Sequence, residues 1–136
     1  MSEKRSDRVR GPGHDTFWEH CAADELWLQR CAGCGKITWP VEPACEHCGS
    51  TALAFERMAG TGTVVSRCQF HQDYYRAAPP VPHDCILVEL DEGVLFMSEP
   101  KGFGYEQAQQ GTRVKLAFID CEDSAGAFRL PVFELA

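Results

Sequence analysis

From Gly60 to the C-terminus, apolar residues come in short runs broken by turn-forming residues: Thr61 to Phe70, Cys85 to Leu90, Val94 to Ser98, Thr112 to Ile119 and Phe128 to Leu135. Runs of this length, rich in β-branched and aromatic residues and bounded by Gly, Pro and Asp, predict five strands. Asp91-Glu92-Gly93 predicts a tight hairpin between the second and third. Tyr105 to Gln109 predicts one or two helical turns between the third and fourth. Five strands with a helical insert before the fourth is the order of an OB-fold, although five short strands also suit an SH3-like barrel or part of a sandwich. The long link from His71 to Asp84 carries Tyr74, Tyr75, Pro79, Pro80 and Pro82. In an OB-fold it lies between strands one and two, at the binding end of the barrel.

Upstream the pattern changes. Phe17, Trp18 and Cys21 form an apolar stripe, and Thr16 followed by Glu19 has the spacing of a capping box, so a helix is expected from Thr16 to Ala23. Leu26 to Gln29, Ile37 to Trp39 and Leu53 to Arg57 predict three further strands. The expected division is a flexible leader with a helix over 1–27, a metal module over 28–58 and a barrel over 59–136.

The metal module is announced by Cys31-Ala32-Gly33-Cys34-Gly35 and Cys45-Glu46-His47-Cys48-Gly49. Each C-x2-C turn puts two sulfurs on one side with backbone N–H groups aimed at them, and four thiolates about 2.3 Å from one ion make a structural zinc site. Gly35 and Gly49 suit the left-handed conformation that carries the chain out of each turn. About thirty residues bury too little to fold unaided, so the metal would supply roughly 10–16 kcal/mol of folding free energy. Cys31, Cys34, Cys45 and Cys48 are thus the predicted ligands of one structural zinc. Cys21, Cys68, Cys85 and Cys121 follow no framework spacing and read as reduced thiols.

Phe17-Trp18-Glu19, Leu28 through Gly35, Pro43 through Ser50, Gly60-Thr61-Gly62-Thr63-Val64 and Val88 through Gly93 resemble the zinc-ribbon plus OB-fold proteins called domain of unknown function thirty-five, over residues 16 to 135. The resemblance implies a mainly β chain: a short N-terminal helix, a rubredoxin-like zinc ribbon and a C-terminal five-stranded OB-fold barrel. It also implies a small partner of thiolase-fold proteins acting on acyl-CoA substrates, among them isoprenoid-pathway thiolases and retro-aldolases that shorten steroid side chains. Pro82-His83-Asp84-Cys85 is more polar than the apolar run that family members often carry there. The ribbon cysteines transfer one for one.

Charge narrows the function. The chain carries a formal net charge of −7, and residues 60–136 hold six Lys/Arg against eleven Asp/Glu, a balance of −5. A nucleic-acid module needs a basic track along the phosphates, so that class is disfavoured. No run approaches the ~18 apolar residues of a membrane span. Met1 to Gly13 has no apolar core for secretion, and a cytoplasmic location with a disordered or loosely docked leader is expected.

No nucleophile–base constellation stands out, and four sulfurs leave the metal no open position, so the chain is expected not to be catalytic alone. His71 and His83 with Asp73 and Asp84 read as a solvated loop cluster. Phe17, Trp18, Trp27, Tyr74 and Tyr75 are the candidate partner-binding aromatics, and Lys101 the candidate CoA contact. The expected role is a non-catalytic accessory subunit of a thiolase-fold complex, of steroid side-chain retro-aldolase or acetyl-CoA acyltransferase type, with acyl-CoA at or near the interface. The alternative is a stand-alone acyl-CoA carrier or sensor.

Overall fold

Two sheets of different length follow from the two patterns. In the computed structural model, which describes residues 2–73 and 78–136, the elements are β1 (Glu3–Lys4), α1 (His14–Ala22), β2 (Trp27–Cys31), β3 (Ile37–Thr38), β4 (Leu53–Arg57), β5 (Thr61–Phe70), β6 (His83–Leu90), β7 (Leu95–Ser98), a 3-10 turn (Tyr105–Gln107), β8 (Arg113–Asp123) and β9 (Gly126–Leu135). The short sheet has the order β3-β2-β4, antiparallel throughout. The long one runs β1-β8-β5-β6-β7, with β9 on β8.

A parallel bridge between Pro100 and Phe133 brings the chain after β7 onto β9, where Phe133 N–H donates to the Glu99 carbonyl at 3.1 Å. The ring β5-β6-β7-β9-β8-β5 is thereby closed, and with the helical turn before β8 it is an OB-fold. Closure removes most sheet edges. The alternating buried positions of β5 and β6 fill the interior with Val64, Ile86, Val88 and Leu90, each 1 % exposed or less.

These side chains form one apolar cluster with Phe17 and Cys21 of α1 and with Leu26, Leu28 and Ile37 of the ribbon. Helix, ribbon and barrel therefore share a core. An element as short as α1 forms because its Phe17 face is buried there rather than through intrinsic stability.

Three expectations are corrected. The leader is docked, not disordered: β1 pairs in parallel with β8 (Glu3 opposite Cys121), Arg5 pairs with Glu99, and Arg8 Nε lies 2.7 Å from Asp123 Oδ2. The helix starts at His14, not Thr16, and its cap is Gly13 without a side-chain bond. Gly13 has φ +80°, and a Cβ there would come 2.7 Å from Val41 Cγ1, so backbone shape and space override the Thr16–Glu19 spacing. β8 continues past Ile119 to Asp123, since the polar residues that suggested its end pair laterally, Asp120 with Arg129 at 2.8 Å and Asp123 with Arg8.

Candidate metal centre and its surroundings

β2 delivers Cys31 to the first turn, where Gly35 N–H donates to the Cys31 carbonyl at 2.8 Å and Cys31 N–H to the Lys36 carbonyl at 2.9 Å. The second turn repeats this, with Gly49 N–H to the Cys45 carbonyl at 2.9 Å and Cys45 N–H to the Ser50 carbonyl at 2.8 Å. Gly35 and Gly49 both have φ +77°, which a Cβ would disfavour. Backbone N–H groups point at the sulfurs: Gly33 N lies 3.3 Å from Cys31 Sγ and His47 N 3.4 Å from Cys45 Sγ.

The four sulfurs lie within 4.8 Å of one another, and Cys31–Cys48 and Cys34–Cys45 are each 3.6 Å apart. A tetrahedron with bonds of about 2.3 Å has edges of about 3.8 Å, so the quartet fits one zinc ion. The N–H of Cys34 leads the interactions that lower the Cys31 pKa. Burial opposes ionisation of Cys45, yet the His47 and Cys48 N–H groups, with the Cys34 and Thr38 side chains, bring it down to about 6. Metal binding displaces thiol protons, so lowered pKa values favour a cation here. Cys31 and Cys45 are buried and Cys34 and Cys48 exposed, so one side of the centre faces solvent. Among the described residues this is the one group of three or more ligating side chains placed to hold a metal.

Residues 18–54 match the ChsH2 rubredoxin-like zinc ribbon domain and residues 55–118 the ChsH2 C-terminal OB-fold domain. The chain belongs to the ChsH2 family. In this family frame the zinc is one structural ion in a ribbon attached to an OB-fold. The structure is similar to the solved Ltp2-ChsH2(DUF35) aldolase, with a TM-score of 0.80 and 29% identity over 95% of this chain and 98% of that one. A DUF35-family protein of unknown function from Sulfolobus solfataricus shares the fold at TM-score 0.57 and 17% identity, with 78% of each chain covered. The 3-oxo-4,17-pregnadiene-20-carboxyl-CoA hydratase alpha subunit of Mycobacterium tuberculosis is 33% identical over 112 residues, 79% of this chain and 34% of that protein. The chain thus spans about a third of the length of the curated relatives it matches.

The other expected site residues separate. Phe17 is 2 % exposed and packs on Trp18 and Trp39, so it fills the internal seam and is unavailable as a partner anchor. Trp18 is half-buried: its ring meets Phe128 at 5.3 Å, the Arg8 guanidinium sits 5.7 Å away, and its Nε1–H donates to the Val9 carbonyl at 3.2 Å. Trp27, also half-buried, stacks on His20 at 4.2 Å and donates to Glu25 at 2.9 Å. Tyr74 and Tyr75 lie outside the described residues.

Lys101 is exposed and 3.6 Å from Glu134, which Lys115 approaches at 3.8 Å from the other side. His83 faces Glu99 at 3.6 Å, whereas Asp84 accepts from Gln69 and from the Tyr105 N–H. These two neighbours in sequence are thus committed to different structural partners, because alternate residues of β6 point to opposite faces.

Sequence reasoning missed the groove that the docked leader makes with the barrel. It has a volume of about 300 Å³ and is lined by Arg5, Arg8, Trp18, His83, Met97 and Phe128 among others. The only advance signal was an excess of arginine before Gly11, which reads equally well as a disordered tail.

Proposed function

We propose that this chain is a non-catalytic subunit that docks on a thiolase-fold protein and completes or stabilises an assembly acting on acyl-CoA thioesters. The observation that carries the reading is the match along 98% of the ChsH2(DUF35) chain in the Ltp2-ChsH2 aldolase, at a TM-score of 0.80. A binding role also suits the site chemistry: the four-sulfur centre has no open position for an activated water, so it holds shape rather than reacting. Carbon–carbon bond cleavage is favoured over acyl transfer to acetyl-CoA, because the aldolase match spans nearly the whole chain.

In this reading residues 28–58 are the metal module, with Cys31, Cys34, Cys45 and Cys48 as its zinc ligands, and residues 59–136 the barrel. Residues 1–27 supply part of the docking surface through the exposed edge of Trp18, with Trp27 alongside. Lys101, with Lys115 on the same Glu134 carboxylate, is the cationic candidate for a CoA phosphate.

The test is co-expression with a thiolase-fold protein from the same genome, followed by size-exclusion chromatography and assay of acyl-CoA cleavage. A stoichiometric complex whose activity needs both chains supports the proposal. Saturable acyl-CoA binding by the chain alone, without complex formation, would favour a carrier or sensor instead.

A further inference from the structure

Cys68 of β5 and Cys85 of β6 are directly opposed in the antiparallel ladder. The register is pinned beside them: Gln69 Nε2–H donates to Asp84 Oδ1 at 2.7 Å across the same two strands, and the Arg67 guanidinium donates to the Tyr105 carbonyl. A one-residue slip of β5 against β6 would break the Gln69–Asp84 bond, and the turn at Tyr105 holds both strands, since its N–H also donates to Asp84 Oδ2 at 3.0 Å. Opposed residues in such a ladder hold their Cβ atoms about 4.5–5.5 Å apart, and a disulfide needs about 3.5–4.5 Å, so closure asks for a shift of about 1 Å. Cys68 is exposed and Cys85 half-buried. Burial, followed by the charge of Cys68, pushes the Cys85 thiol up to about 12, and the exposed Cys68 is the thiol that meets an oxidant first.

We propose that Cys68 and Cys85 form a reversible thiol–disulfide exchange site on the barrel, with a low-molecular-weight disulfide such as oxidised glutathione as the oxidant. The exposed Cys68 thiolate attacks one sulfur of the oxidant, its S–S bond breaks, and one thiol leaves with a proton from solvent. Cys85 then loses its proton to solvent and attacks Cys68 Sγ. The mixed disulfide breaks, a second thiol leaves, and the Cys68–Cys85 bond remains. Two electrons pass from the protein pair to the oxidant, which is reduced to two thiols. Cys85 also lines the groove beside His83, Glu99 and Met97, so closure alters one of its walls.

The experiment uses the full zinc-loaded chain in glutathione buffers of graded redox ratio, with acid quench, alkylation and peptide mapping by mass spectrometry. Zinc is measured in parallel to show that the ribbon thiols stay bound. The expected result is an intramolecular Cys68–Cys85 peptide pair lighter by two hydrogens and restored by dithiothreitol. In Cys85→Ser a glutathione adduct should persist on Cys68. The wild-type bond should form at an oxidised-to-reduced ratio at least about tenfold lower than this adduct needs. A wild-type chain in which both thiols stay reduced across the series overturns the proposal, as does one that stops at the Cys68 adduct or links Cys68 to another chain. If Cys85→Ser does not fold, the wild-type peptide map decides alone.

Discussion

The rings of Phe17 and Trp39 lie 4.7 Å apart at a tilt of 33°, and Trp39 meets Phe96 of the barrel at the same 4.7 Å. Phe96 continues to Phe133 at 6.1 Å. One aromatic chain thus runs from the helix across the ribbon into the barrel. Each ring buries apolar surface against the next, so the three parts should lose structure together.

Phe17→Ala removes the first link and leaves a cavity in a fully packed seam. We expect a loss of about 3–5 kcal/mol in urea unfolding, with ribbon and barrel probes shifting together. A barrel midpoint that stays put while the ribbon melts would contradict the shared core.

Trp18→Ala separates stability from docking. The ring covers Phe128 but keeps an exposed edge, so the isolated chain should lose less stability than with Phe17→Ala. If the proposed thiolase-fold partner docks here, its affinity should fall by about 2 kcal/mol or more, as for an aromatic hot spot. Unchanged affinity, measured by calorimetry, rejects Trp18 as an anchor and leaves the zinc argument intact.

Metal analysis should find one zinc per chain, released by Cys34→Ser or a strong chelator. Leu28 and Ile37 belong to the common core, so the metal-free chain should lose near-ultraviolet dichroism and melt at a lower temperature as a whole. Retention of the native melting point would remove the structural role.

Asp123 gives the docked leader a pH signature. The Arg8 hydrogen bond, followed by backbone N–H groups, holds this carboxyl at about 2 against an ordinary 3.8. Because the folded value is the lower one, its contribution is complete well above pH 3.8 and is lost as the pH falls from there through about 2. Asp123→Asn should therefore mimic acid at neutral pH. Hydrogen exchange at Arg5, whose N–H donates to the Glu122 carbonyl at 2.9 Å, is the readout. Equal protection in variant and wild type would show that Arg8 does not hold the leader.

Gly62 sits where β5 crosses β6 so closely that a Cβ would lie 2.6 Å from the Glu89 carbonyl oxygen and 2.6 Å from Val88 Cγ1. Gly62→Ala forces one strand away from the other and should cost about 1–3 kcal/mol in equilibrium unfolding. A neutral effect would mean that the barrel is looser here than its packing implies.

Wherever local chemistry was enough, the sequence by itself determined the structure. The doubled Cys-x-x-Cys-Gly turns set the metal quartet, because each turn closes on its own hydrogen bonds within six residues. Apolar runs and turn residues located all five barrel strands and the hairpin at Gly93, since strand period and positive φ are properties of adjacent residues. Tertiary structure alone decided the contacts between distant segments. Arg5 finds Glu99 across 94 residues and Arg8 finds Asp123 across 115, turning an apparent tail into a paired strand. Phe17 became core instead of surface because Trp39 and the barrel close over it, and Cys68 met Cys85 because the β5–β6 register placed them opposite. Burial and register depend on which surfaces meet after the chain has closed, and no local spacing records that.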